Sequence, residues 1–166
     1  MDSSTLRKLQ EPLKNKYKSE PEAAIITLRA SSKIGEGITC KIETGKSIIE
    51  AGLHPATGGD GLSVCSGDML LEALAACAGV TLKAVATAID FKLKDATIYT
   101  EGDLDFRGTL AVDKEAPVGF KNIRLRFTLD TDEPKEKIDT LIKLTERYCV
   151  VYQTLSKGNM IELTIG

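Results

Sequence analysis

The sequence has 166 residues, of which 42% are hydrophobic and 28% are charged, and its net charge is −2 at pH 7. This composition is typical of one soluble domain, or of one domain and an arm, and it argues against nucleic acid or an anionic membrane as the partner. Because the polar N-terminus shows no apolar segment of a secretory signal, we expect a cytoplasmic protein in a reducing compartment.

The N-terminal segment is predicted to be helical over residues 3–18. Apolar residues recur there at spacings of three or four, and Ser3 or Ser4 is available as the N-cap. We therefore divide the chain into an N-terminal helical arm, residues 1–22, and a main domain, residues 23–166.

Three β-strands are predicted next, at residues 24–32, 37–44 and 46–53, because β-branched and apolar residues alternate with polar ones. The second strand places Cys40 on its apolar face, which favours a core role for this cysteine. Residues 54–64 are rich in glycine and proline and are predicted to form an irregular loop.

A long helix rich in small residues is predicted from about residue 67 to residue 90. It contains the one apolar run whose length would allow a membrane span. Because that run includes Glu72 and Lys83 and is rich in alanine, we expect a central buried helix.

The remaining chain is predicted to alternate between strands and one more helix. Residues 95–111 are interpreted as one bent strand or two, with Gly102 as a bulge, and residues 122–130 alternate most regularly. A helix then ends near Tyr148, and residues 160–166 form the last strand. This order predicts an α+β fold with a mainly antiparallel sheet and two principal helices on one side.

The four cysteines form no CxxC pair, so we expect neither a structural zinc site nor a cofactor. Cys65 precedes the long helix, where the helix dipole favours a thiolate, although an unreactive loop cysteine is the simpler interpretation. Cys77 and Cys149 fall on the inward faces of the two long helices. Each alone is more simply a packing residue, but inward-facing cysteines on contacting helices can meet the distance limit of a disulfide.

The sequence from about residue 24 to its end resembles the OsmC/Ohr family of thiol-dependent peroxidases. Two motifs carry the resemblance, SGDMLLEALAACAG around Cys77 and ERYCVVYQTLSKG around Cys149. The resemblance implies an intertwined homodimer with active sites at the subunit interface, Cys77 as the peroxidatic cysteine and Cys149 as the resolving cysteine. It also implies a small hydroperoxide as substrate and a dithiol as reductant.

The family uses an arginine that is held by a glutamate near the start of the cysteine helix. Gly67 stands at the position of that glutamate, with Asp68 beside it, and Val150 replaces a proline of the second motif. By its order along the chain, Arg29 is a candidate for the arginine, and His54 is another candidate proton donor. The simpler interpretations are a surface arginine and a loop histidine.

Three functions fit these observations. The first is a dimeric cysteine-based peroxidase. The second is a non-enzymatic redox sensor or ligand-binding protein that keeps the two thiols. The third is a structural dimer whose thiols only pack. Cys65 ranks below Cys149 as a disulfide partner for Cys77.

Overall fold

The computed structural model describes residues 2–5, 8, 10–11, 19, 31–34, 39–43, 48–111 and 113–165. The chain forms two compact units, the first made of residues 1–13, 73–99 and 126–166 and the second of residues 14–72 and 100–125.

The N-terminal segment has helical backbone at residues 3–5 and 10–11. Its N-cap is Asp2, whose carboxylate accepts a hydrogen bond from the Thr5 N–H at 2.7 Å. The N-cap is therefore Asp2 and not Ser3 or Ser4, which were predicted for this role. Most of the rest of the predicted helix lies outside the described residues.

The second unit contains a four-stranded sheet in the order β1-β2-β3-β4. Its strands are β1 (Ser31–Ile34), β2 (Thr39–Glu43), β3 (Ile48–Gly52) and β4 (Val64–Cys65). The first three pair antiparallel and β4 pairs parallel with β3, which confirms the second and third predicted strands. The predicted strand 24–32 overlaps β1 only at its last two residues, because residues 24–30 lie outside the described residues. The predicted loop 54–64 contains a 3-10 turn, Pro55–Thr57, and the start of β4.

The long helix α1 (Ser66–Ala88) forms as predicted and carries five buried residues, namely Leu74, Ala78, Leu82, Val85 and Ala86. Gly79 lies against Ile98, whose Cδ1 atom is 3.4 Å from where a Cβ would stand. Among the described residues, α1 alone is long and apolar enough to cross a membrane by length and composition, a criterion that core helices of soluble proteins also meet.

Strands β5 (Asp95–Asp103) and β6 (Asn122–Asp130) form a two-stranded sheet. The N–H of Lys94 donates to the Asp130 carbonyl at 2.9 Å, and the N–H of Lys121 donates to the Asp103 carbonyl at 2.8 Å. These two bonds, at opposite ends, show that the pair is antiparallel. The prediction for residues 122–130 is confirmed.

The prediction of strand structure over residues 95–111 is wrong after Asp103. A short helix, α2 (Phe106–Thr109), follows because the Asp105 carboxylate caps its N-terminus. The predicted bulge at Gly102 is not seen either, because exposed and half-buried residues alternate without interruption along β5. The glycine instead allows close approach of the Phe120 ring, which would lie 2.4 Å from a Cβ at this position.

Two helices complete the chain, α3 (Lys135–Tyr148) and α4 (Val150–Lys157). Leu141 of α3 is fully buried and packs in the core of the first unit with Leu82, Val85, Ala86 and Phe91 of the segment around α1. The predicted strand at residues 160–166 does not form within the described residues. Its backbone has no strand partner there, and a strand needs one to satisfy its N–H and C=O groups.

Candidate active site

Cys77 lies on α1 with its thiol only partly covered, next to the fully buried Ala78. Alanine is the best helix former and leaves space beside the backbone. The segment therefore holds a regular helix while it leaves the Cys77 sulfur room for a neighbouring group.

Cys149 lies at the break between α3 and α4, and only 1% of its surface is exposed. Its backbone is extended, with φ −73° and ψ 107°, so it ends one helix and caps the next. The helix ends at Tyr148 as predicted, but Cys149 lies in the break after it and not on the inward face of the helix. The two β-branched residues that follow it have low helix propensity, which favours the break, and the Gln153 side chain donates to the Glu146 carbonyl at 2.8 Å across it.

Four polar groups act on the pKa of the Cys77 thiol, in addition to its burial. They are the backbone N–H groups of Val151 and Val150, the Cys149 thiol and the Thr81 hydroxyl. Partial burial of Cys77 raises its pKa, but these donors favour the anion, and the net result is a pKa below the ordinary value of a thiol. The two N–H groups belong to the first turn of α4, where backbone donors have no helical acceptor.

The pKa of Cys149 is shifted in the opposite direction, above its ordinary value. Burial raises the pKa of its thiol, and the nearby Cys77 thiolate raises it further, because a second negative charge beside the first is unfavourable. The N–H groups of Tyr152 and Val151 only partly offset these effects. The pair therefore has a preferred ionisation state, with the anion on Cys77 and the proton on Cys149.

The sequence analysis missed Thr81 and the N–H groups of α4. Thr81 stands four residues after Cys77, and this spacing places two side chains on the same helix face. The start of α4 could also have been predicted. The family motif has a proline at the position of Val150, and proline is the residue most typical of the first helical position.

His54 and Asp68 lie in the second unit, where they line a cavity of about 140 Å³ together with Cys65 and Phe106. The His54 Nδ1 atom accepts the Ala56 N–H at 3.0 Å, and its ring stacks on Phe106 at 4.9 Å. A neutral imidazole that accepts at Nδ1 carries its proton on Nε2, so His54 is arranged as a hydrogen-bond donor.

Arg29, the candidate for the family arginine, lies outside the described residues. Cys65, Cys77 and Cys149 are free thiols. In the part of the chain that the structure describes, no three His, Cys, Asp or Glu side chains are placed to hold a metal ion.

The sequence profile of the family described as OsmC-like protein matches residues 58–164. The chain belongs to the OsmC-like protein family. The match includes both cysteines of the pair and the three helices α1, α3 and α4. No curated protein sequence matches this OsmC-like chain.

Solved structures share the fold of the OsmC-like chain. The OsmC-like protein of Mycoplasma pneumoniae is 16% identical with a TM-score of 0.67, and the match covers 80% of this chain and 89% of that one. The organic hydroperoxide resistance protein OsmC of Legionella pneumophila is 18% identical with a TM-score of 0.63, covering 81% and 92%. The organic hydroperoxide resistance protein OhrB of Bacillus subtilis is 20% identical with a TM-score of 0.55, covering 82% and 94%.

Proposed function

We propose that this OsmC-like protein is a thiol-dependent peroxidase that reduces organic or other small hydroperoxides. The observation that carries the proposal is the thiol pair, in which the pKa of Cys77 is lowered, the pKa of Cys149 is raised, and each thiol is a cause of the other's shift. Two of the structurally similar proteins are organic hydroperoxide resistance proteins, which supports the choice of substrate class.

The reaction divides into three balanced steps. The Cys77 thiolate attacks the distal oxygen of the hydroperoxide ROOH, which becomes the alcohol ROH after it takes up a proton, and Cys77 becomes a sulfenic acid. The Cys149 thiol condenses with that sulfenic acid, which forms the Cys77–Cys149 disulfide and releases water. A dithiol then reduces the disulfide by thiol–disulfide exchange and is itself oxidised to a disulfide.

Ionisation of Cys77 supplies only part of the required acceleration. A thiol with a pKa of about 8.5 is about 3% ionised at pH 7, so full ionisation accelerates the attack at most about thirtyfold. Fast turnover also needs a cation or donors that stabilise the leaving oxygen. We propose Arg29 and His54 as the sources of these groups, and Asp68 as the carboxylate that holds the arginine.

We further propose that the protein works as an intertwined homodimer. The segment after α4 supports this, because Met160, Ile161, Leu163 and Ile165 are each at least 83% exposed. Exposed apolar residues in an unpaired, alternating segment are typical of a strand that pairs with another chain. The division into an arm, residues 1–22, and an OsmC-like domain, residues 23–166, is part of the same proposal, as is a cytoplasmic location where a dithiol resets the pair.

Peroxide consumption with a dithiol reductant tests the function. We expect multiple turnovers with an organic hydroperoxide and at least a hundredfold loss of rate in Cys77→Ser. Cys65→Ser is the matched control, since it removes a thiol that is not in the pair, and should retain the rate. Equal rates in Cys77→Ser and the unmodified protein would contradict the proposal.

The alternative is a non-enzymatic redox sensor or ligand-binding protein, which the glycine at position 67 favours because the carboxylate of the family is missing there. In this case one equivalent of peroxide would oxidise the pair slowly and no catalytic cycle would follow. The same stopped-flow experiment distinguishes the two functions, because the sensor gives a single stoichiometric phase.

A further inference from the structure

Gly67 lies in the wall of the cavity of the second unit, which has a volume of about 140 Å³. A Cβ atom at this position would stand 3.5 Å from the Phe120 ring and 3.6 Å from both the Cys65 sulfur and the Leu104 side chain. All three neighbours line the cavity, so a longer side chain at position 67 would point into it. The glutamate of the family motif would occupy this space, and the glycine of this chain leaves it open.

Aromatic rings form much of the cavity wall. The Phe106 ring stacks on His54, with ring centroids 4.9 Å apart and an angle of 21° between the planes. The Phe120 ring lies so close to Gly102 that any Cβ atom there would collide with it, so this wall depends on a glycine. The remaining apolar lining comes from two leucines, Leu71 and Leu104. Such walls favour a flat apolar ligand, because aromatic rings pack well on one another.

Two polar groups in the wall determine which substituent the ligand can carry. His54 Nδ1 accepts the Ala56 N–H at 3.0 Å, so the proton of the neutral imidazole is on Nε2. No hydrogen bond from Nε2 to another described residue is present, which leaves this N–H available to a ligand. Asp68 adds a carboxylate, which accepts a hydrogen bond and repels an anion. A hydroxyl group suits both, because it accepts one hydrogen bond and donates another.

We propose that this cavity is a binding site for a phenol, that is, a single neutral aromatic ring with one hydroxyl group, and that Gly67 makes room for the ring. The size fits, because an apolar protein cavity of about 150 Å³ binds benzene. A phenolic hydroxyl has a pKa of about 10, so the ligand is uncharged at neutral pH beside Asp68. The site includes neither Cys77 nor Cys149, and it goes beyond the proposed peroxidase function.

Titration calorimetry with phenol tests the site in the unmodified protein and in two variants. We expect a Kd below about 1 mM for the unmodified protein. Gly67→Ala is the matched control, because its Cβ fits at ordinary contact distances, and its Kd should stay within about threefold. Gly67→Leu fills the cavity and should weaken binding about tenfold or more. No binding by the unmodified protein at about 10 mM phenol, or equal affinity in Gly67→Leu and Gly67→Ala, would overturn the proposal.

Two further measurements need no variant at position 67, in case Gly67→Leu does not fold. Phenol at about ten times its Kd should slow iodoacetamide modification of Cys65 about tenfold, because the reagent then reaches only the free protein. Cys77 in the same sample is the internal control and should keep its rate. A Cys65 rate that phenol leaves unchanged, or equal slowing of both cysteines, would contradict the proposed location.

His54→Phe keeps a ring that can stack on Phe106 and removes the Nε2–H. We expect phenol to bind about tenfold more weakly to this variant, because a hydrogen bond is lost. Toluene, which has a methyl group in place of the hydroxyl, should bind both proteins equally. A loss of the same size for phenol and toluene would show that His54 does not recognise the hydroxyl and would overturn the choice of a phenol. Because none of these measurements uses peroxide, a failure of the peroxidase proposal would be seen separately.

Discussion

Cys77 and Cys149 shift each other's pKa in opposite directions: the Cys149 thiol lowers the pKa of Cys77, and Cys77 raises the pKa of Cys149. The pair therefore favours the anion on Cys77 and the proton on Cys149. This difference assigns the two chemical roles, because only a thiolate attacks an electrophile efficiently. The protonated neighbour is then at hand to condense with the oxidised sulfur.

The first prediction concerns the pH dependence of Cys77 modification. The rate follows the thiolate fraction, so it rises with pH through the pKa and then levels off. Because the fold lowers the pKa of Cys77, the midpoint should lie below that of the same cysteine in the unfolded protein. Cys149, whose pKa is raised, should react only at higher pH. Peptide mass spectrometry of protein treated with iodoacetamide, with and without denaturant, reports both sites, and a Cys77 midpoint at or above that of the unfolded protein would contradict the assignment.

A second prediction isolates the Thr81 hydroxyl. This hydroxyl, on the same helix face as Cys77, is one of the groups that lower the pKa of Cys77, so Thr81→Val should raise that pKa and slow the modification of Cys77 at pH 7 about threefold to tenfold. Thr81→Ser keeps a hydroxyl and is the matched control, expected to restore most of the rate. A loss of equal size in both variants would point to packing as the cause.

Arg29 should act on the peroxide and not on the thiol. We expect Arg29→Ala to lower kcat/KM for an organic hydroperoxide about a hundredfold or more, because a charge that stabilises the leaving oxygen is lost. The rate of Cys77 modification by iodoacetamide should stay the same. Arg126→Ala is the control, since Arg126 lies over the Tyr99 ring at 4.4 Å and has no proposed role. Unchanged peroxide kinetics in Arg29→Ala would remove Arg29 from the mechanism.

The exposed C-terminal segment should be part of the dimer interface. In an extended segment Ile161, Leu163 and Ile165 lie on one face, and Glu162 lies on the other. Replacing the three apolar residues by serine together should convert a dimer into a monomer, as measured by light scattering after gel filtration. Glu162→Ser is the control on the opposite face and should remain a dimer. A dimer that persists after the triple substitution would exclude this segment as the main contact.

The sequence predicted the elements whose pattern is local. Strand β6 (Asn122–Asp130) and helix α1 (Ser66–Ala88) were found nearly to the residue, because alternation and helical spacing are visible within each segment. Elements that depend on contacts with other segments were not predicted correctly. Residues 160–166 alternate like a strand but have no strand partner in the part of the chain that the structure describes.

The candidate site was likewise predicted only in part. The two cysteines were identified by their motifs and the end of α3 near Tyr148 was predicted, but the helix that begins at Val150 was not. The apolar spacing of α3 continues to Cys149, so the pattern placed this cysteine on the inward face of the helix. Only the backbone conformation shows that α4 begins directly after Cys149 and that the N–H groups of its first turn have no helical acceptor.

The most direct test of the central claim is the disulfide that forms when the reduced protein meets one equivalent of an organic hydroperoxide. Intact mass followed by peptide mapping should show a loss of two hydrogens and a single bond between Cys77 and Cys149. In Cys149→Ala, which removes the resolving thiol, the same treatment should leave a Cys77 sulfenic acid that a dimedone probe captures. A bond from Cys77 to Cys65, or an unmodified Cys77, would contradict the account.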